Sequence, residues 1–142
     1  MGTQEGTRGH IFALLAEEQE QDPFVIQGTL LLYITYVQAL FDSRASHSFI
    51  SIACVSALAL ETKPLSTSMK VTSLLKGSIA VSLVCRGCEL EVANPRLTYN
   101  LRVIDMANFD VILGMDWLLT HRAVIDYHQK MVMVYTPEGT HF

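Results

Sequence analysis

An aspartate, Asp42, stands where the apolar run Tyr36 to Phe41 gives way to the small and polar residues Ser43, Arg44, Ala45, Ser46, His47 and Ser48. A carboxyl group at the mouth of an apolar strand, followed by small residues, is placed for general acid or base work. Three other groupings invite chemistry and read more simply. Asp110 also adjoins an apolar strand, Val111-Ile112-Leu113, but it lacks the small-residue loop and reads as a turn or capping residue. His47 beside Ser46 and Ser48 has the residue types of a nucleophile and base; at the start of an element it reads as a surface or packing residue. Cys85 and Cys88 have the spacing of half a zinc site. With no second pair in the chain they read as buried thiols, and no metal is expected.

The elements that must carry Asp42 follow from periodicity. Phe24 to Tyr33 and Tyr36 to Phe41 are rich in β-branched, aromatic and leucine residues and read as two strands of one sheet, the second delivering Asp42 at its end. Phe49, Ile50, Ala53, Ala57 and Leu58 recur at helical spacing, so a short helix is expected after the loop, capped by Ser46 or Ser48. Met69 to Ser73 and Ile79 to Cys85 flank Leu74-Leu75-Lys76-Gly77 as a hairpin with Gly77 at its tip. Arg86-Gly87 and Asn94-Pro95-Arg96 supply further turns before strands at Leu97 to Ile104 and Val111 to Leu113. Gly114 ends the latter, and Met115 to His121 reads as a second short helix with Asp116 in its first turn, where a carboxylate favours the helix dipole. Ala123 to Asp126 and Met131 to Tyr135 form a last hairpin, and Trp117 belongs to the core. Many short strands with two brief helices make a mostly-β fold.

Composition bounds the function. The 142 residues fit one domain. It is assigned to residues 23–136, between a polar tail at 1–22 with at most a short helix and a C-terminal tail at 137–142. Half the residues are hydrophobic and the mean hydropathy is +0.30, a surplus that points to a subunit interface. A net charge of −4 with only 10 basic residues, none clustered, argues against a nucleic-acid partner. No signal-like start and no apolar run of about 18 residues are present, so a soluble, cytoplasmic chain without a membrane partner is expected. Three cysteines fit free thiols in a reducing compartment.

The run Leu40-Phe41-Asp42-Ser43-Arg44-Ala45-Ser46-His47-Ser48-Phe49-Ile50, followed by Phe109-Asp110-Val111-Ile112-Leu113-Gly114-Met115-Asp116-Trp117-Leu118, resembles the retropepsin-like aspartic protease domain of gypsy-type long-terminal-repeat retrotransposons. Further matches occur at Val25 to Thr29, Cys85 to Cys88, Leu101 to Met106 and Ala123 to Asp126. The resemblance implies a closed, pepsin-like β-barrel with two short helices. It also implies an endopeptidase of a Gag-Pol-like polyprotein, working on a polypeptide substrate as a homodimer without a cofactor. Asp42 would be the catalytic residue, with Ser43, Arg44 and Ala45 completing its loop and Ser43 hydrogen-bonding across to the partner loop. Lys76 and Gly77 would form the tip of a flap, and Ile112, Leu113 and Gly114 the segment packed beneath the loop.

Amide hydrolysis by two carboxyl groups needs one as base and one as hydrogen-bond donor. One chain supplies one such loop, so the second carboxyl must be Asp42 of another copy across a two-fold axis. Two departures from the family pattern bear on this. The flap lacks the proline common before its tip glycine. Arg44 stands where the family has glycine, so a guanidinium aimed inward would favour the doubly ionised pair and fill substrate space, whereas an outward one would strain a backbone suited to glycine. A catalytically inactive relic serving as a peptide-binding or dimerisation module is therefore the alternative expectation, and a purely structural polyprotein segment a third.

Overall fold

A computed structural model describes residues 10–12, 25–73, 77–92, 96–107 and 109–134. The strands are β1 (His10–Phe12), β2 (Val25–Leu32), β3 (Thr35–Asp42), β4 (Phe49–Ser51), β5 (Lys63–Ser73), β6 (Gly77–Glu91), β7 (Arg96–Ile104), β8 (Val111–Leu113), β9 (Ala123–Asp126) and β10 (Met131–Val134). Helix α1 (Ile52–Ala57) follows β4, and α2 (Met115–Thr120) follows β8. The large sheet runs β1-β5-β6-β2-β3-β8-β4-β7, and β7 also pairs with β6, so six of its strands close a ring. The fold is mostly β with two short helices, as the sequence led us to expect. Strands β9 and β10 form a separate antiparallel hairpin.

The ring works because its central strands bury both faces. Successive side chains of a strand point to opposite sides. Ala39 and Phe41 of β3 enter one apolar cluster, with Leu113, Leu32 and Trp117, while Leu40 enters the other, with Ile112, Phe49 and Ile104. Strand β8 lies parallel to β3, in the register Ala39↔Val111, Leu40↔Ile112 and Phe41↔Leu113. Two-sided burial explains why both read as unbroken apolar runs rather than alternating ones. The consequence is a rigid floor that ends at Asp42 and Gly114 together.

Four readings need correction. Residues His10–Phe12, assigned to a tail with at most a short helix, form a strand parallel to Lys70–Thr72. The apolar pair Phe49-Ile50 does not open the helix. Strand β4 pairs with β7 on one side and β8 on the other, and tertiary pairing overrides the helical spacing. The cap of α1 is consequently Ser51, whose Oγ accepts from Cys54 N–H at 3.0 Å, not Ser46 or Ser48. Arg86-Gly87 is no turn either. Strand β6 continues through it with a register shift against β7 between Cys85 and Cys88, and Gly87 takes φ +63°, the left-handed region natural to glycine at a bulge. The hairpin expected around residue 75 is present in its stems, with Ser73 paired to Gly77. Leu74, Leu75 and Lys76 lie outside the described residues, as do Asn94-Pro95, Tyr135 and most of both assigned tails.

Candidate active site

The loop after β3 is built by backbone hydrogen bonds and closed from below. Ala45 N–H donates to Asp42 O at 3.2 Å, turning the chain directly behind the carboxylate. Ala45 O then accepts from Met115 N–H at 2.7 Å, tying the loop to the start of α2. Gly114 lies against this turn so closely that a Cβ there would fall 2.6 Å from Ala45 O and 2.4 Å from His47 O. No side chain fits at that place without the loop moving. Ile112, Leu113 and Gly114 are thus brought under the loop, the first two fully buried.

A second clamp joins the far end of the loop to α2. Ser48 is fully buried; its hydroxyl donates to Asp116 Oδ1 at 2.6 Å and accepts from Gly114 N–H at 3.0 Å. Asp116 also accepts from Ser48 N–H at 3.2 Å and from Trp117 N–H at 2.7 Å. The carboxylate therefore links loop, β8 end and helix, a role beyond the dipole interaction read from its position. Sequence reasoning did not connect Asp116 with Ser48. The signal available was a hydroxyl in the loop opposite a first-turn carboxylate.

Asp42 itself has no solvent-exposed surface. Its Oδ1 accepts the Arg44 backbone N–H at 2.9 Å, and Arg44 Nε lies 3.8 Å from the same oxygen. The guanidinium thus takes the inward of the two arrangements considered, with the side chain 37% exposed. Arg44 does not have a positive φ, so the loop accepts its Cβ without left-handed strain. Ser43 Oγ is hydrogen-bonded within the chain to the hydroxyl of Tyr127, which follows β9. Tyr127 was not singled out from sequence, since nothing local marks a tyrosine 84 residues away as a neighbour of the loop.

The remaining candidates settle as follows. Asp110 acts at a turn, its Oδ2 accepting from Gln38 N–H at 2.9 Å. His47 Nδ1 is 3.0 Å from Ser46 Oγ, in an exposed pair, whereas Ser48 turns away to Asp116. Cys85 and Cys88 are buried free thiols with Sγ atoms 3.0 Å apart. Burial above all pushes the Cys88 thiol up, and it pushes that of Cys54 up to about 11, so both stay protonated. Trp117 is fully buried in the core. Gly77 opens β6 at the hairpin, and its neighbour Lys76 lies outside the described residues. Among the described residues no helix is long and apolar enough to cross a membrane.

This fold occurs in solved structures. The retroviral protease-like domain of Ddi1 from Leishmania major superposes with a TM-score of 0.59 at 17% identity, over 78% of this chain and 85% of that one. EIAV protease complexed with the inhibitor HBY-793 gives 0.57 at 17% identity, over 70% and 90%. No curated protein matches significantly in sequence. The model of the family described as retroviral aspartyl protease matches residues 5–140, nearly the whole chain, with the Asp42 loop and its floor inside the match, and the chain belongs to that family.

Proposed function

We propose that this chain is an aspartic endopeptidase domain of retropepsin type, from a retrotransposon Gag-Pol-like polyprotein, whose dyad forms from Asp42 of two copies. The observation that carries the reading is the position of Asp42: a buried carboxyl at the end of a strand packed on both faces, on a loop locked by Gly114, Ser48 and Asp116. Such anchoring holds a carboxyl in a fixed place. With two loops at a two-fold axis, one carboxylate would take a proton from water while the protonated other donates to the scissile carbonyl. Atoms balance when the base's proton passes to the leaving amine. Ser43 and Ala45 shape the loop, and the β5–β6 hairpin, whose second strand begins at Gly77, would close over the peptide as a flap.

Apolar surface supports the pairing of copies. Leu119, Val124 and Met131 are exposed on α2, β9 and β10, and Leu119 lines a recess of about 180 Å³ together with Ser43 and Tyr127.

A second reading, a peptide-binding or dimerisation module without activity, is favoured by Arg44 Nε at 3.8 Å from Asp42 Oδ1. A cation at that distance favours the charged carboxylate, whereas the dyad needs one member protonated. Because Arg44 has no positive φ and Asp42 Oδ1 also accepts its backbone N–H, Arg44→Gly removes the guanidinium and leaves that hydrogen bond. The test is cleavage of a peptide library at acid and neutral pH by the chain, by Arg44→Gly and by Arg44→Gly with Asp42→Asn. Little cleavage by the first, clear cleavage by the second and none by the third is expected. Activity that survives Asp42→Asn overturns the mechanism, and silence of Arg44→Gly leaves the module reading.

A further inference from the structure

A cleft of about 640 Å³, whose lining does not include Asp42, lies against the same loop at His47. Its walls come from five places: His47 of the loop, Ser66 of β5, Arg86 of β6, Arg102 of β7 and Asp116 of α2. Two guanidiniums thus face one carboxylate in a chain whose net charge is −4. That carboxylate is already engaged by the hydroxyl and N–H of Ser48 and by Trp117 N–H. Among the described residues no carboxylate is close enough to form an ion pair with either arginine, and Arg102 Nε is buried without a hydrogen-bond partner. Asn100, also on the wall, spends its side-chain oxygen on Gly87 N–H at 2.8 Å, which leaves its NH2 group to donate.

A half-buried guanidinium with a buried, unmet donor has a cost unless an acceptor comes to it. After burial, the charge of Arg102 is the next cause holding His47 below its ordinary range, with Asp116 acting the other way. The location is equally telling, because the cleft is bounded by the Asp42 loop on one side and by a strand of the β5–β6 hairpin on the other. An extended peptide lying between loop and hairpin would run into it.

We propose that this cleft is an anion subsite that takes the carboxylate of an acidic residue, carried by the bound peptide outside the pair flanking the cleaved bond. The assignment rests on the peptide-groove reading above and names the substrate class: polypeptides with an acidic residue at a fixed distance from the site. Arg102 would meet the carboxylate through charge-assisted hydrogen bonds, which are the strong ones, and Arg86 would add charge at the rim.

The test measures binding of fluorescein-labelled, capped alanine–leucine decapeptides to the full chain carrying Asp42→Asn, with one glutamate or one glutamine placed at each position in turn. At one position or two adjacent ones, glutamate should bind roughly tenfold more tightly than glutamine. Arg102→Gln should reduce that preference to less than about twofold. Arg86→Gln, at an exposed position where folding is not at stake, should lower it by a smaller factor. Equal binding of glutamate and glutamine peptides at every position, or a preference that survives Arg102→Gln together with Arg86→Gln, removes the subsite alone. Binding of neither series removes the groove reading and the subsite together. A glutamate preference in a protein whose Arg44→Gly form cleaves nothing keeps the subsite and removes the protease reading.

Discussion

At the residue scale the account turns on which atoms hold the Asp42 loop and which disturb its carboxyl. Ser48 bridges Gly114 N–H and Asp116 Oδ1 from a fully buried position, so Ser48→Ala leaves the Gly114 N–H unmet and Asp116 Oδ1 with the Trp117 N–H alone of its two donors. We expect a loss of about 1–3 kcal/mol in urea unfolding. Asp116→Asn should cost a similar amount, and the double variant less than the two together, a coupling of about 0.5–3 kcal/mol. Strict additivity would show that the bridge carries no energy. Asp42 could be read from sequence because a carboxylate between an apolar strand and small residues is a local pattern. Ser48 with Asp116 could not, since they lie 68 residues apart and the pairing of β8 with β3 and β4 brings them together. Arg44 was legible as a departure, but its direction was not. A long side chain's rotamer depends on the surrounding loop, and the absence of positive φ appears only in the backbone.

At the element scale the loop's position depends on a glycine at the end of a three-residue strand. Gly114→Ala would place a methyl group within 2.6 Å of two backbone oxygens, and the loop rather than a flexible side chain would have to yield. A destabilisation of about 1–3 kcal/mol or more follows from overpacking. Faster amide exchange should appear at residues 43–48 before it appears in β2; unchanged exchange there would contradict the packing described. The paired strands were legible where apolar residues ran unbroken or alternated, as in β2, β3 and β8. They were not legible at Phe49-Ile50, where two apolar residues fit helix and strand alike and neighbours on both sides decide. The bulge at Gly87 was missed for the related reason that a glycine within a strand and one ending it look the same in sequence.

At the scale of the whole molecule, acid should weaken the fold. Burial holds both His47 and His121 below their ordinary range, and His121 packs on Trp117 with ring centroids 5.1 Å apart. Each therefore takes up its proton at lower pH when folded, so around and below the unfolded value of 6.5 the unfolded chain binds more protons. Their contribution is full above that pH and is lost as pH falls through it toward the lower folded values. Tm should therefore drop between about pH 7.5 and 5.5, and His121→Phe, which keeps the ring, should lessen the drop. An equal drop in the variant would exclude His121 as its source. Pairing of copies is the larger question, because one chain brings one Asp42 loop. The most direct measurement is calorimetric titration of the Arg44→Gly chain with a peptide isostere bearing a hydroxyl in place of the scissile carbonyl. A dyad shared across a two-fold axis requires one isostere per two chains, with binding abolished by Asp42→Asn. One isostere per chain, or binding that ignores Asp42→Asn, would contradict it.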